Sequence, residues 1–224
     1  MKNWIDYWSS ETQFACDHHK VIGYQAVFED LKPYIKDSDI VLDFGCGEAL
    51  FAEKLSQHCQ QLFLYDKAQS ILDKLSFAES SNIHVIQSYN VLKSLDLVLI
   101  SSVSQYLTKS EFKKTLQELL PLMSENGQII ISDVIPFKNS IPREAIDLIK
   151  LAFKYKFLTK AILKMIKSYF GNYYRLRKKN PLTKYDYNSF KEMMHSPDLE
   201  IRLEKFNIGL NNNRLTFSMR KVRI

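Results

Sequence analysis

Six glycines occur in the 224 residues, and two of them, Gly45 and Gly47, share one turn directly behind the apolar run 40–44. Glycine permits a positive φ and lets a ligand approach the backbone without meeting a side chain. A turn that opens a helix also presents amides with no partner inside the helix. That turn suits the polar groups of a small ligand. Asp43 stands two residues before Gly45, and Asp66 follows about 20 residues further on, behind a second apolar run at 62–65, where a carboxylate accepts hydrogen bonds from both hydroxyls of a ribose. The four residues together point to a ribose-bearing ligand.

A dinucleotide-binding G-x-G-x-x-G turn needs a third glycine where this chain has Leu50, and it leaves Asp43 without a role. The run Val41-Leu42-Asp43-Phe44-Gly45-Cys46-Gly47-Glu48 instead resembles motif I of the class I S-adenosylmethionine-dependent methyltransferases, a hydrophobic strand closing in D/E-x-G-x-G. The resemblance extends through Asp66, through the run 95–102 and through a terminal strand pair, and covers residues 20–135 and 185–224. It implies S-adenosyl-L-methionine as cofactor. Gly45, Cys46 and Gly47 would border its methionine part, Asp43 would lie near its amino group, and Asp66 would hold its ribose. The polar position after the third strand, for the adenine amine, falls on Gln87, Ser88 or Tyr89, with Ser88 the central choice. Ser101, behind the fourth strand, would line the channel between cofactor and acceptor, continued by Val103, Ser104, Gln105 and Tyr106. The Asn-Pro-Pro-Tyr or Asp-Pro-Pro-Tyr signature of amino-methylating enzymes is absent there, which weighs against an amide or base nitrogen as acceptor.

Those residues need strands to carry them. The spacing of apolar residues predicts a helix over 21–34 interrupted at Pro33, strand 40–44, helical composition over 48–55, strand 62–65 and a helical pattern to Phe77. Strands 83–86 and 95–100, a helix over 112–122 and a strand over 129–134 follow, with Asn126-Gly127 supplying the turn before the last. Near-continuous apolar strands separated by helices require a parallel sheet covered on both faces, an α/β doubly wound domain. A helix at 189–194 and alternating runs at 199–208 and 214–222 then read as an antiparallel hairpin. By the resemblance, the sheet has seven strands, mostly parallel, with the antiparallel C-terminal strand inserted beside the fifth. The expected organisation is one methyltransferase domain over 1–224, with an N-terminal helical lid at 1–35 and a basic, aromatic helical insertion at 137–185 as substrate cap.

The insertion carries the charge. Eleven Lys and Arg stand against Glu144 and Asp147 between residues 143 and 179, so this segment holds +9 of a chain whose total is +6, and the remainder is net acidic. Ile146, Ile149, Phe153, Phe157, Ile162, Ile166 and Phe170 recur there at three- and four-residue spacings, as on one or two amphipathic helices. Lysines beside such an apolar face suit a solvated cap, an anionic membrane surface, or RNA phosphates. No RNA-binding module accompanies the cluster, which ranks nucleic acid below a small or lipid-linked molecule. Aromatic residues gather at the start (Trp4, Tyr7, Trp8, Phe14) and after the basic helices (Tyr169, Phe170, Tyr173, Tyr174, Tyr185, Tyr187). In small-molecule methyltransferases these two regions form the acceptor pocket, so Tyr106 and Tyr173 are substrate-binding candidates.

Methyl transfer is an in-line displacement at an activated carbon, so positioning carries much of the rate. A phenol or sugar hydroxyl needs a proton acceptor, whereas a carboxylate does not. His18 is the substrate-side candidate, with His19 beside it, and Asp133 behind the fifth strand is another, competing with a strand-capping role. No residue is assigned as catalytic, and no three ligands are spaced for a metal. The expected activity is methylation, at oxygen, of a small or amphipathic metabolite. The alternatives are an RNA methyltransferase and a non-catalytic, cofactor-binding or scaffolding subunit. Hydrophobic residues at 46% and charged residues at 25% exclude a disordered or fibrous chain. Cys16, Cys46 and Cys59 form no disulfide framework. With no signal-peptide core and no apolar run of membrane-spanning length, the expected location is cytoplasmic.

Overall fold

The computed structural model describes residues 3–12, 14–78 and 81–222. Seven strands make one sheet in the order β3-β2-β1-β4-β5-β7-β6: β1 (Ile40–Phe44), β2 (Gln61–Tyr65), β3 (Ile83–Val85), β4 (Leu95–Ser101), β5 (Met123–Val134), β6 (Leu199–Leu203) and β7 (Leu215–Lys221). The first five are parallel, and β7 enters antiparallel between β5 and β6, with Ile131 opposite Phe217 and Gln128 opposite Arg220. This is the doubly wound sheet with an inserted terminal strand that the sequence predicts.

Alternation along each strand divides two cores. Leu42, Val98, Ile100, Ile129 and Ile131 face Phe112, Leu116 and Leu119 of α5 (Lys109–Leu119) and Phe190 of α9 (Tyr187–Met193). Val41, Leu62, Leu64, Leu97, Leu99 and Ile130 face Phe28 and Leu31 of α2 (Asp17–Leu31), Ala52 and Leu55 of α3 (Ala52–Ser56), and Leu72 of α4 (Gln69–Leu72). Most of these side chains are sealed from water, each stabilising the fold by about 1.5–3 kcal/mol. A capping box opens α5. Thr108 accepts from the Glu111 amide at 3.2 Å, and the Thr108 amide donates back to Glu111 Oε2 at 2.8 Å, a cap worth about 1 kcal/mol. Asp96 ties three strands at their start, accepting from the Ile40 amide and from Ser124 Oγ.

The structure departs from the sequence reading in several places. The helix expected at 48–55 forms only from Ala52, because Gly47 and Ala49 both take a left-handed φ, at 54° and 49°. The segment behind β2 holds four helical residues rather than a helix running to Phe77. Asn126-Gly127 does not precede β5 but lies inside it, at a register shift between Leu95 and Leu97. The hairpin arm expected to reach residue 208 ends at Leu203, where the chain bends across the end of β5. The basic insertion forms three helices: α6 (Ile141–Lys154), α7 (Leu158–Phe170) and α8 (Asn172–Lys179). At the N-terminus lie α1 (Trp4–Trp8) and α2, which begins four residues before the expected helix; residues 1, 2 and 13 of the expected lid lie outside the described residues.

A side chain at Gly127 has no room, since a Cβ there would stand 2.5 Å from the Leu95 carbonyl oxygen inside the β4–β5 irregularity. Gly127→Ala is expected to lower stability by about 1–3 kcal/mol, read as a drop in the urea midpoint with an unchanged slope; an unchanged midpoint would contradict the register shift.

Candidate active site

A cleft of about 2010 Å³ runs along the carboxyl ends of β1, β2, β4 and β5. Its first half is built by the turn behind β1. The Gly45 and Cys46 amides both donate to the Tyr65 carbonyl, at 2.7 and 3.1 Å, and the Gly47 amide donates to Asp66 Oδ2 at 3.1 Å. Asp66 Oδ1 accepts from the Ala68 amide at 2.8 Å. The turn and the end of β2 therefore form one hydrogen-bonded unit. Gly45 needs to be glycine twice over: its φ is 84°, and a Cβ would collide with Val103. Gly47 has φ 54° and open space where a Cβ would project.

Electrostatics there is unfavourable for the protein alone. Asp43 is 3% exposed, and burial, then the neighbouring Asp66, pushes its carboxyl up to about 7. Burial also raises Asp66, against the opposing pull of the Ala68 and Gly47 amides. Tyr24 of α2 sits over the pair, its phenol raised by burial and by Glu48, Asp43, Cys46 and Asp66. Burial likewise raises the Cys46 thiol, which keeps it protonated. Lys20 of α2 pairs with Glu48, closing α2 onto the turn.

The second half of the cleft lies beyond β4 and β5. Ser102, just past the end of β4, and Asp133, in the irregularity between Ile131 and Val134 of β5, both have φ 58°, a conformation costing a non-glycine residue about 1–3 kcal/mol. Ser102 Oγ donates to Asp133 Oδ2 at 2.7 Å, and the Asp133 amide donates to Asn207 Oδ1 at 3.1 Å. Arg214 Nε stands 3.8 Å from Asp133 Oδ1, an ion pair without a hydrogen bond, and Arg214 Nε and Nη1 are buried with no hydrogen-bond partner. Glu144 of α6 accepts from Arg177 of α8 at 2.8 Å and from Arg214 at 3.3 Å, so the four charges compensate. Aromatic rings wall this end. Trp4 lies 5.1 Å from Tyr106 and 5.7 Å from Tyr173, centroid to centroid, and Trp8 lies 5.5 Å from Tyr106.

Of the residues the sequence singles out, Asp43, Gly45, Cys46, Gly47, Asp66, Ser101, Tyr106 and Tyr173 all line this cleft. Ser88 does not; it is exposed, and Tyr89 beside it holds the wall, its hydroxyl donating to Glu118 at 2.7 Å. His18 is also off the wall, its Nε2 3.1 Å from the Tyr155 carbonyl, while His19 lines the cleft. His19 stacks on Phe157 at 4.6 Å, and burial, then His18, lowers it to about 4. It is therefore neutral at physiological pH. Tyr24, Glu144, Arg177 and Arg214 escape the sequence reading, because nothing in their local patterns distinguishes them from surface residues.

No family model matches the chain. Nodulation protein S of Rhizobium tropici is 25% identical over 96 residues, which span 40% of this chain and 40% of that protein. Among solved structures, a DhpI–SAH complex covers 98% of this chain and 96% of its own, with a TM-score of 0.61 at 10% identity. The magnesium protoporphyrin IX methyltransferase ChlM from Synechocystis PCC 6803, solved with bound SAH, covers 96% and 92%, with a TM-score of 0.57 at 14% identity. The chain has the class I S-adenosylmethionine-dependent methyltransferase fold. At these identities the likeness is one of fold.

The raised Asp43 carboxyl sets a pH dependence. A buried acid whose folded value lies above its unfolded value of about 4 contributes stability below that value and loses it as pH rises through about 7. Asp43→Asn is expected to raise the melting temperature of the ligand-free protein at pH 8, by the equivalent of about 2–4 kcal/mol, and to change it little below about pH 4. Equal shifts at both pH values would contradict the assignment.

Proposed function

We propose that this chain is a methyltransferase that uses S-adenosyl-L-methionine to methylate a small or amphipathic molecule, lipid-linked molecules included, at oxygen. The observation that carries the reading is the pair of buried carboxylates, Asp43 and Asp66, held beside open backbone at Gly47 in a cleft that continues to an aromatic wall. Ligand pockets are commonly about 300–1,000 Å³, and this cleft is twice the upper figure, which suits two reactants side by side. The chemistry of the donor set fits the cofactor. Each Asp66 oxygen accepts one backbone hydrogen bond and keeps a lone pair, so the carboxylate can receive both ribose hydroxyls. Burial raises the cost of ionising both carboxyls, and Asp66 raises it further for Asp43, which a ligand bearing positive charge offsets.

S-adenosyl-L-methionine supplies an activated methyl group. The chain's own residues hold, orient and dry the site. Gly45, Cys46 and Gly47 border the methionine part, Tyr89 rather than Ser88 flanks the adenine, and Ser101 lies between cofactor and acceptor. Trp4, Trp8, Tyr106 and Tyr173 bound the acceptor and exclude water. Asp133, fixed on one oxygen by Ser102, takes the proton that an acceptor hydroxyl loses as its oxygen is methylated. His18 has no part in this reading, and His19, neutral and stacked, packs the lid on the cap. The partner order is a small-molecule acceptor first, an anionic membrane surface reached through residues 143–179 second, and nucleic acid last; the proposed location is cytoplasmic.

A screen with methyl-labelled cofactor across phenolic, carboxylate, sugar and lipid-linked acceptors is expected to return a hydroxyl acceptor. Asp66→Ala should weaken cofactor affinity in calorimetry by roughly 10- to 100-fold, from the loss of two hydrogen bonds to a charged group; retained affinity would refute the ribose assignment. Asp133→Asn should leave cofactor affinity intact and lower kcat on the hydroxyl acceptor by about 100-fold or more. An unchanged kcat would remove Asp133 from the reaction.

A further inference from the structure

The solvent faces of α6 and α7 are apolar where an ordinary surface helix is polar. Ile146, Ile149 and Phe153 on α6, and Ile162, Leu163, Ile166, Tyr169 and Phe170 on α7, are all exposed, Phe153 at 77%, Phe170 at 74% and Leu163 at 62%. The buried residues of the same helices, Ala152 and Ala161, are small and pack with Phe157 against the N-terminal segment. Leu148, Leu151 and Leu158 pack partly on the same cluster, while the large apolar side chains named above remain exposed. Contiguous exposed apolar surface rimmed by polar residues marks an interaction site.

We infer that this face lies on an anionic lipid surface and that the acceptor reaches the cleft from it. Charge selects the occupant: Arg143, Lys150, Lys154, Lys160 and Lys167 are exposed on the same two helices, in a segment of net charge +9. A second copy of the chain would bring two such basic faces together, and their repulsion opposes pairing, whereas acidic headgroups attract them. RNA would leave Phe153, Leu163 and Phe170 in water. No helix among the described residues is long and apolar enough to cross a membrane, so the helices rest in the interface rather than span it. Ile166, Tyr169 and Phe170 belong at once to the exposed face and to the cleft wall. The mouth of the cleft thus opens on the docking face, and an amphipathic acceptor can pass from lipid to the aromatic wall without its apolar part crossing water. The docking stands alone; the delivery of an acceptor rests on the methyltransferase reading.

Co-sedimentation of the full chain with phosphatidylcholine vesicles containing about 30% phosphatidylserine, against phosphatidylcholine alone, reads the docking directly. Binding is expected on the anionic vesicles, weakened about tenfold or more by Phe153→Ser with Leu163→Ser, and similarly by Arg143→Glu with Lys160→Glu. None of these four residues lines the cleft, so SAH affinity measured by calorimetry on the same samples should not change. Docking with no SAH affinity in the parent chain would sink the enzyme reading and leave the docking intact. Absence of vesicle binding would overturn the inference. So would vesicle binding indifferent to the serine pair, salt-sensitive capture of a single-stranded RNA in place of vesicles, or a dimer in light scattering that the serine pair abolishes.

Discussion

The hydrogen bonds that tie the turn behind β1 to the end of β2 are the constraint on which the site depends. The Tyr65 carbonyl receives two amides from that turn, and Asp66 receives a third from Gly47. This pins three successive residues in conformations that a helix or strand would not accept, and two of them have a positive φ. One outcome is that α3 starts late, at Ala52, leaving a shelf of backbone open to the cleft. Another is that Asp43, on a largely buried strand, stays close enough to Asp66 for Asp66 to resist its ionisation. The protein holds this unfavourable pair because the parallel sheet is rigid on both sides, with leucines and isoleucines sealed from water above and below β1 and β4. Strain and charge of a few kcal/mol are small beside that burial.

The far half of the cleft follows a similar rule with different residues. Ser102 just behind β4 and Asp133 in the irregularity of β5 are both left-handed non-glycine residues, and their side chains bond to each other. The loop between β6 and β7 reinforces the arrangement: Asn207 accepts from the Asp133 amide and from Thr216 Oγ1, so the end of β5 is held from both sides. Arg214, at the start of β7, then reaches Glu144 on the insertion. The antiparallel insertion of β7 next to β5 is what brings these charges to the cleft.

The N-terminal helices and the basic insertion also pack on each other beside that cleft. Trp4 and Tyr7 of α1 bury against Leu176 of α8, with Tyr106 and Tyr173 around them, and His19 of α2 stacks on Phe157 between α6 and α7. That contact buries Ala152 and Ala161 and part of Leu148, Leu151 and Leu158, and leaves Ile146, Phe153, Leu163 and Phe170 exposed.

The sequence by itself determined the strand-turn-helix with its two glycines, both carboxylates of the first half-site, the doubly wound sheet and the terminal hairpin. Those features rest on local pattern: apolar runs of strand length, glycine where φ must be positive, and a fixed spacing between strand ends. It also separated the two aromatic groups and the basic segment as compositional facts. Tertiary structure alone decided which residue of 87–89 faces the cleft, since a one-residue step in an extended segment reverses the side chain and moved the wall position from Ser88 to Tyr89. It likewise exchanged His18 for His19, turned Asn126-Gly127 from a turn into an irregularity inside β5, and assembled Ser102, Asp133, Glu144, Arg177 and Arg214 from four separate stretches. No local pattern encodes those meetings, because they are set by strand order and by where helices dock, and both are properties of the whole chain.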